Sequence, residues 1–392
     1  MPHQRKRIIQ DILLKRLKLW PSLGIVGPRQ CGKSTLLRDF IQHKMKSLYL
    51  SFDSKSARDR AMRSPESFSE PENKLLMIID EAQKVPDIFD AVKLHIDNQR
   101  RPGMFILSGS TAFSTLSGVR ESLTGRMGVL HLYPFCLSEI HQKKFGSYYT
   151  GKKLSDAQIS LKDFDRKIEK GGMPGFFFLR SDHEWSLSAQ QWIETTCYRD
   201  LTSVVSKNFN PELAFNILSA LVQLEFPIAA EVAAKLNRDA RVIKRYLEAF
   251  CEILVLKKVN SHPLGVGKEH FVLIDSGICN YLGASRETCL RAHALVEALS
   301  HFEAMGLSRP EVLYYRSEKR SYIPLIFYWA AKRQHLVVQI SDAESPTRGE
   351  LASVSSFQDK MKNSSDRYLL LNQASKSFVD KKMRIEFHPL RG

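Results

Sequence analysis

The residue types and spacing best suited to chemistry form one segment near the N-terminus, Gly27-Pro28-Arg29-Gln30-Cys31-Gly32-Lys33-Ser34-Thr35. Its first eight residues fit the pattern G-x-x-x-x-G-K-[S/T]. The two glycines let the backbone curl so that its N–H groups point at a phosphate, and the positive end of a following helix faces the same group. Lys33 is expected to bridge β- and γ-phosphate oxygens, and the Ser34 hydroxyl to ligate Mg²⁺. We therefore predict that residues 27–35 bind ATP and Mg²⁺, with ATP preferred because no N-K-x-D guanine motif is present.

A pair of carboxylates follows the apolar run at residues 75–79. Asp80, at the end of a buried strand, is expected to hold Mg²⁺ through water, and Glu81 to polarise a water for attack on the γ-phosphate. The alternative is an acidic pair that only opens a loop. The pair favours hydrolysis over phosphoryl transfer to a small acceptor.

Two further positions could contact the phosphates. The strand at residues 104–107 ends in small polar residues, and we predict that Ser110 reaches the γ-phosphate or the attacking water; for Ser108 a plain turn is an equal alternative. Arg126 follows in a predicted loop. It could reach the γ-phosphate of its own or a neighbouring subunit, or form a structural salt bridge.

Hydrophobic patterning predicts an α/β sandwich for the first part of the chain. Short apolar runs at residues 23–26, 47–53, 75–79, 104–107 and 129–132 alternate with helical patterns at 34–41 and 88–96. Residues 8–20 have basic and apolar positions at helical spacing. We favour a helix packed beside the first strand over one that contacts lipid or nucleic acid.

The pattern changes after residue 155. Helices are predicted at residues 162–170, 183–201 and 297–306, and a compact helical unit closed by two strands at 211–282. Further strands are predicted at 312–315, 325–328, 336–340 and 368–371.

Composition limits the classes of partner and compartment. The 392 residues suffice for two or three domains, and the formal net charge of +16 favours a polyanionic partner, unless the surface is merely basic. No run of 18 apolar residues and no signal-peptide core is present, so we expect no membrane span and a cytoplasmic protein. The six cysteines show no C-x-x-C pair and no zinc-type spacing with histidine. Cys31, within the phosphate loop, is expected to make the site sensitive to thiol reagents.

These segments together resemble a known family. The phosphate loop, Ile79-Asp80-Glu81-Ala82-Gln83, Ser108-Gly109-Ser110 and Gly125-Arg126 resemble the AAA-superfamily ATPases of bacteria and archaea that are fused to a C-terminal domain of unknown function. The resemblance continues in three later segments: Gly171-Gly172-Met173-Pro174-Gly175, Thr196-Cys197-Tyr198-Arg199-Asp200-Leu201 and Phe271-Val272-Leu273-Ile274-Asp275-Ser276-Gly277.

The resemblance implies four units. These are an AAA-type P-loop ATPase domain at 1–155, a helical lid or linker at 156–205, a winged-helix domain at 206–283 and a restriction-endonuclease-like domain at 284–392. The expected fold class is α/β, with a P-loop parallel sheet sandwich followed by a helical or winged-helix unit and a small α+β nuclease-like domain.

Residues 229–274 also indicate a winged helix by pattern alone. Helices are predicted at 229–236 and 240–253, followed by two strands. Ile243, Leu247 and Phe250 form the apolar face of the second helix. A basic face is formed by Arg241, Lys244 and Arg245. This face could contact DNA, or be solvated in a unit that contacts protein.

The nuclease-like segment departs from the pattern that the resemblance implies. Tyr322 and Pro324 stand where acids are expected, and Gln339 and Ser341 replace Glu and Lys. These residues cannot supply the charge that Mg²⁺ needs, and Glu297 would be a lone upstream acid. We therefore predict the fold without DNA cleavage.

Three functions remain open. The first is an ATPase whose cycle drives a conformational or assembly switch, with DNA, a protein partner or self-association involving the C-terminal half. The second is a non-enzymatic DNA-binding winged-helix module with structural ATP. The third, disfavoured by Pro324, Gln339 and Ser341, is an ATP-regulated nuclease.

Overall fold

The N-terminal part of the chain forms a five-stranded parallel sheet. The computed structural model describes residues 5–70, 75–113, 123–143, 147–151, 159–205, 209–319, 321–361, 365–374 and 376–391. The strands lie in the order β2-β3-β4-β1-β5. Their bounds are β1 Ser22–Val26, β2 Ser47–Ser51, β3 Leu76–Asp80, β4 Phe105–Gly109 and β5 Met127–His131. All five strands that the apolar runs predicted are present.

Helices cover both faces of this sheet. They are α1 Gln10–Leu17, α2 (consecutive segments Lys33–Thr35, Leu36–Ile41 and Gln42–Lys44, the middle one a π-helix), α3 Lys55–Arg63, α4 Pro65–Phe68 and α5 Ile88–Gln99, with a 3₁₀ turn at Ala82–Lys84.

Alternation along the strands explains the three layers. In β3, Met77 and Ile79 belong to the core formed with α5, whereas Leu76 and Ile78 belong to the core formed with α1 and α2. Successive side chains of a strand point to opposite faces, so a continuous apolar run is buried on both sides. Residues 20–141 are an α/β layer sandwich, as predicted.

Helix α1 packs against the domain rather than standing apart from it. Ile9, Leu13 and Leu17 are buried in the same core as β1. The Arg16 guanidinium donates a hydrogen bond to the Val129 carbonyl at 2.9 Å. The packed interpretation of the basic N-terminal segment therefore agrees with the structure.

The remainder of the chain combines helices with a second sheet. Its helices are α6 Leu137–His141, α7 Leu161–Lys170, α8 Asp182–Thr195, α9 Pro211–Val222, α10 Ala229–Leu236, α11 Ala240–Glu252, α12 Ser276–Tyr281, α13 Arg286–Ala304 and α14 Arg348–Met361. A π-helix at Thr196–Asp200 continues α8, and 3₁₀ turns lie at Ser147–Thr150, Leu201–Ser203 and Ala330–Lys332. Its strands are β6 Leu256–Ser261, β7 His270–Leu273, β8 Glu311–Arg316, β9 Tyr322–Trp329, β10 Gln334–Ile340, β11 Arg367–Asn372, β12 Phe378–Asp380 and β13 Ile385–Pro389.

This second sheet is continuous across the predicted boundary at residue 283. Its order is β12-β13-β11-β10-β9-β8-β6-β7, and β6 pairs with β8 in parallel through Asn260 and Leu313. One hydrophobic core includes Phe164, Ile217 and Val338, one residue from each of the three predicted C-terminal units. The division at 205 and 283 stays a prediction, and the described residues on both sides share one core.

Among the described residues, no helix has both the length and the apolar character needed to cross a membrane.

Candidate nucleotide-binding site

The phosphate loop leaves the carboxyl end of β1 and needs its glycines for close contacts. A Cβ on Gly27 would lie 2.2 Å from the Leu132 carbonyl oxygen and 2.8 Å from the Cys31 sulfur. Gly32 has φ of +97°, in the left-handed region that glycine adopts without strain. The loop therefore curls tightly against the end of the sheet before α2 begins at Lys33.

Lys33 lies at the centre of this loop. Its side chain is buried, and the ammonium donates to the carbonyl oxygens of Gly27 at 2.8 Å and Pro28 at 3.0 Å. These two acceptors satisfy the buried charge, so phosphate oxygens would have to replace them. The loop backbone thus encloses the Lys33 ammonium.

The buried Asp80 carboxylate joins three elements at the carboxyl edge of the sheet. Oδ2 accepts hydrogen bonds from the hydroxyls of Ser34 at 2.6 Å and Tyr49 at 2.5 Å. Oδ1 accepts from the hydroxyl of Ser108 and from the Glu81 backbone N–H at 3.2 Å. Burial, followed by the Asp80 charge, raises the pKa of Tyr49, which stays a neutral donor. A serine hydroxyl beside a carboxylate is a pair of hard oxygen ligands, which suits Mg²⁺.

Glu81 is placed one residue beyond the sheet in a left-handed conformation, with φ of 57°. Its Oε2 accepts a hydrogen bond from the Gln83 amide at 2.6 Å, and the same amide donates to the Ser110 hydroxyl at 3.2 Å. β4 lies between β1 and β3, as predicted for the strand that carries these serines. Glu81 and Ser110 therefore share one hydrogen-bond donor, the Gln83 amide.

Ser108 lies closer to the metal-binding pair than the sequence suggested. It is fully buried and donates to Asp80, so the plain-turn alternative does not describe it. Whether Ser110 contacts a phosphate stays a prediction.

Arg126 requires a correction. It precedes Met127, which pairs with Ser22 at the start of β1, whereas the phosphate loop leaves the other end of that strand. Five strand residues separate the two edges by roughly 16 Å. Arg126 instead binds Asp97, with Nε–Oδ1 at 2.6 Å and Nη2–Oδ2 at 3.0 Å. It therefore does not reach a nucleotide of its own subunit, and a role toward a neighbouring subunit stays a prediction.

A cavity of about 530 Å³ opens beside the phosphate loop. Three separate segments line it: residues 5–7 before α1, the loop with the start of α2, and Pro174-Gly175 from the glycine-rich segment. Pockets of this size accommodate nucleotide-sized ligands. Asp53, Glu81 and Phe135 complete the wall.

Arg7 fixes the N-terminal segment to this cavity. Its buried guanidinium donates to the Cys31 carbonyl at 2.8 Å, to the Tyr133 carbonyl at 2.5 Å and to Glu139 Oε1 at 2.9 Å. It also lies over the Phe135 ring, 4.6 Å from the centroid. Since such charge-assisted bonds are strong and directional, Arg7 holds the phosphate loop against the end of β5.

The loop also contacts the helical segment 192–200. Arg29 Nε donates to both carboxylate oxygens of Asp200, at 2.8 and 3.1 Å, and the Trp192 indole donates to the Arg29 carbonyl at 3.2 Å. The Gly171–Gly175 stretch approaches from the same side, with Pro174 near Gly32. The predicted lid or linker therefore contacts the phosphate loop directly.

The Cys31 thiol lacks the accessibility that its predicted reactivity toward thiol reagents requires. The thiol is fully buried, and burial raises its pKa. A reactive cysteine needs an accessible thiolate. The expected sensitivity of the site to thiol reagents therefore conflicts with the structure.

The predicted basic face of α11 is exposed but partly neutralised. Ile243, Leu247 and Phe250 are buried, as predicted. Arg241 Nη2 lies 3.0 Å from Asp239 Oδ2, and Lys244 Nζ 2.8 Å from Glu269 Oε1.

The same face leaves one cation without such a partner. Arg245 has no carboxylate partner among the described residues. DNA contact by Arg241, Lys244 and Arg245 stays a prediction.

Three of the four substituted positions of the nuclease-like segment meet in one pocket. Tyr322, Pro324 and Gln339 line a cavity of about 430 Å³, together with Glu287, Asp342 and Glu350. Asp342 is held by Arg286 at 2.8 Å. Glu297 accepts a hydrogen bond from the Leu137 N–H at 2.7 Å, away from this pocket. The absence of cleavage stays a prediction.

Sequence reasoning missed Tyr49 and Arg7, and it gave Gln83 no role beyond its place in the segment from Ile79 to Gln83. Tyr49 lies in β2, whose pairing beside β3 brings it to Asp80. Gln83 follows Glu81 by two residues, so its local spacing was a signal that it could contact Glu81. Arg7 carried no signal beyond a basic N-terminus.

Comparison with known proteins assigns the first part of the chain. Residues 20–141 match the family of AAA domains. Uncharacterized proteins of Mycobacterium bovis and Mycobacterium tuberculosis are each 25% identical over 266 residues, 65% of this chain and 53% of the relative. The chain therefore spans about half the length of these curated relatives.

Solved structures align more loosely. A Walker-type ATPase of Pyrococcus abyssi aligns with 13% identity over 70% of this chain and 94% of its own, with a TM-score of 0.44. The RuvB Holliday junction branch migration motor of Thermotoga maritima aligns with 17% identity over 65% and 90%, with a TM-score of 0.29. These scores are too low to carry an inference. The family match and the geometry of the phosphate loop together support an AAA-type P-loop domain at residues 20–141.

Proposed function

We propose that this chain binds ATP and Mg²⁺ at the phosphate loop and hydrolyses the nucleotide. The observation that carries the proposal is the 2.6 Å hydrogen bond between the Ser34 hydroxyl and Asp80. It joins the first residues of α2 to the end of β3 at the carboxyl edge of a parallel sheet, where ligands of such folds bind.

Each residue of the site has a role in this proposal. Lys33 would exchange its two loop carbonyls for β- and γ-phosphate oxygens, and Ser34 and Asp80 would hold Mg²⁺ directly and through water. The ion, when bound, neutralises charge on the phosphates. Glu81, oriented by Gln83, would accept a proton from the attacking water.

The contacts of the loop suggest how hydrolysis is used. Arg29 binds Asp200, and Pro174 lies beside Gly32, so two segments outside residues 20–141 contact the phosphate loop. A change in loop position on loss of the γ-phosphate would be transmitted to them. We infer a conformational or assembly switch whose output is the C-terminal half.

Two variants test the nucleotide site. Lys33→Ala is expected to abolish ATP binding, because the charge that neutralises the phosphates is lost. Glu81→Gln is expected to retain binding while turnover falls about 10²–10⁴-fold, the usual contribution of a general base.

The matched controls are Lys332→Ala and Glu318→Gln, both exposed and outside the cavity. Unchanged ATP affinity in Lys33→Ala would refute the site. Wild-type turnover that is already negligible would favour a binding module with structural ATP.

A DNA partner is the second proposal for the C-terminal half. It is supported by the net charge of +16 and by the exposed Arg245 on α11. ATPase activity should be measured with single- and double-stranded DNA, and DNA affinity across a salt series. Phosphate contacts predict affinity that falls steeply with salt and falls further in Arg245→Ala. A flat salt response, or no binding at low salt, would favour a protein partner.

A further inference from the structure

Helix α13 carries three metal-binding side-chain types on one face. His293, Glu297 and His301 are spaced by four residues, which places them on the same side of a helix. All three are buried, and a buried glutamate such as Glu297 is rare unless it is paired. Nδ1 of His293 and Nε2 of His301 each lie 3.9 Å from a Glu297 carboxylate oxygen.

A cysteine from the first half of the chain completes this cluster. Cys136 is the residue just before α6 and is fully buried, and its sulfur accepts a hydrogen bond from the Glu139 N–H. The ligand atoms of Cys136, Glu297 and His301 all lie within 4.8 Å of one another. The cluster therefore joins a segment that follows β5 to a helix 160 residues later.

The cluster contains polar atoms that protein groups leave unsatisfied. Within the part of the chain that the structure describes, His301 Nε2 and His293 Nδ1 have no hydrogen-bond partner. Buried polar atoms without a partner are rare in native proteins and call for an explanation such as an ion.

The alternative is that Glu297 has only a structural role. One carboxylate oxygen, Oε1, accepts the Leu137 N–H at 2.7 Å and so caps the start of α6. That role explains one carboxylate oxygen and leaves the two unpartnered imidazole nitrogens, His301 Nε2 and His293 Nδ1, unexplained.

We propose that Cys136, Glu297 and His301 form a structural binding site for a divalent transition-metal ion, with Zn²⁺ as the best match to the donors. Thiolate, imidazole and carboxylate are the ligand types that zinc takes, whereas Mg²⁺ and Ca²⁺ require oxygen. Tetrahedral zinc places its ligand atoms roughly 3.3–3.8 Å apart, so the three side chains would close by about 1 Å on binding. His293 lies outside this group of three, and its Nδ1, 3.9 Å from the other Glu297 oxygen, would have to move closer to supply a fourth ligand.

Charge and position support a structural rather than a catalytic ion. A thiolate and a carboxylate together balance a divalent charge. The cluster is buried on all its members, so no open position faces a substrate, which is typical of structural sites. The ion would clamp the end of the first sheet to α13.

The first measurement uses the full-length chain, purified without a polyhistidine tag or chelator. Elemental analysis is expected to find about one zinc per chain, and removal of the metal to lower the melting temperature. Reconstitution with Co²⁺ is expected to give a thiolate-to-cobalt charge-transfer band. That band cannot arise from Mg²⁺-type oxygen ligands at Ser34 and Asp80, and Ser34→Ala should leave it unchanged.

Variants separate the metal site from a helix cap. Cys136→Ser and His301→Gln are expected to lose zinc and the cobalt band, whereas Cys197→Ser, another buried thiol, should retain both. Glu297→Gln keeps an acceptor for the Leu137 N–H but loses the carboxylate. Glu297→Gln should therefore fold and bind metal at least tenfold more weakly. Unchanged metal affinity would mean that Glu297 only caps the start of α6.

The proposal is overturned if the folded wild-type protein contains no transition metal and fails to withdraw Zn²⁺ from an indicator of micromolar affinity. It is equally overturned if cobalt binds without a thiolate band. Both results are obtained on the wild-type chain, so they hold even if Cys136→Ser does not fold.

Discussion

Arg29 in the phosphate loop donates two hydrogen bonds to Asp200, although 171 positions separate the two residues. The pair is partly buried, with 28% of the Arg29 and 12% of the Asp200 side chain exposed. The Trp192 indole adds a bond to the Arg29 carbonyl. The loop that would hold phosphates is thus attached to residues 192–200, which lie outside the AAA-type domain.

This attachment predicts that nucleotide binding changes the dynamics of residues 192–200. Hydrogen exchange of that segment should slow on addition of a non-hydrolysable ATP analogue. In Asp200→Asn the response should shrink at least twofold, because an amide no longer pairs with the guanidinium. Asp182→Asn is the matched control, since Asp182 makes an exposed ion pair with Lys170 on the neighbouring helix. An undiminished response in Asp200→Asn would show that the coupling runs elsewhere.

Contact with Asp80 predicts that substitutions of Ser108, in β4, and Ser110, just after β4, affect activity differently. Ser108 donates to Asp80, so Ser108→Ala should disorient the carboxylate, raise the Mg²⁺ concentration required for half-maximal activity and lower turnover about tenfold. Ser110 contacts Gln83 instead. Ser110→Ala should lower turnover without changing the Mg²⁺ requirement. The test is to measure activity against Mg²⁺ concentration in both variants. An equal change in their Mg²⁺ requirement would contradict the different roles of Ser108 and Ser110.

The fold of the first domain followed from the sequence because its central strands β1, β3 and β4 are buried on both faces. In β3, for example, four consecutive apolar residues precede Asp80. β12 and β13 were not predicted, because Ile385–Pro389 alternates apolar and polar residues over only five positions. Such short, half-buried strands give little periodic signal.

The residues of the candidate site likewise divide into those that the sequence predicts and those that it does not. Lys33, Ser34 and Asp80 were predictable because each lies at a fixed offset from a strand end. Tyr49 and Arg7 reach the site only through tertiary contacts, which leave no local pattern. The face of α13 did carry a signal, the four-residue spacing of His293, Glu297 and His301, but the cysteine that meets it, Cys136, lies in a distant part of the sequence.

Arg126 yields a prediction about assembly. Because it lies at the edge of the sheet opposite the phosphate loop, Arg126→Ala should leave the turnover of a dilute monomer unchanged. If subunits assemble with Arg126 facing the next nucleotide, turnover per chain should rise with concentration, and Arg126→Ala should abolish that rise. Arg100→Ala, an exposed arginine at the same edge, is the control. A loss of activity in the dilute monomer would contradict the placement of Arg126.

Two buried histidines of the C-terminal sheet predict how stability depends on pH. Burial lowers the pKa of His270 to about 3, helped by Arg291 and Arg316, and lowers that of His262 to about 4, helped by His335. The unfolded chain binds these protons near the ordinary value of 6.5, whereas the folded chain excludes them. The free energy of unfolding should therefore be unaffected above pH 6.5 and fall as the pH drops below it, by about 1–2 kcal/mol per histidine at pH 5.

A single substitution tests this dependence. The His270 ring stacks on Tyr314 at a centroid distance of 3.8 Å, so His270→Phe keeps the stacking partner and removes the titrating group. Denaturant unfolding at pH 7 and pH 5 should show a smaller loss of stability in this variant than in the wild type. His183→Phe, at an exposed position on α8, should retain the full loss. Equal losses in the wild type and His270→Phe would mean that His270 is protonated in the folded state at pH 5. In that case Arg291 and Arg316 would not exclude the proton, and the decline would have to arise from carboxylates instead.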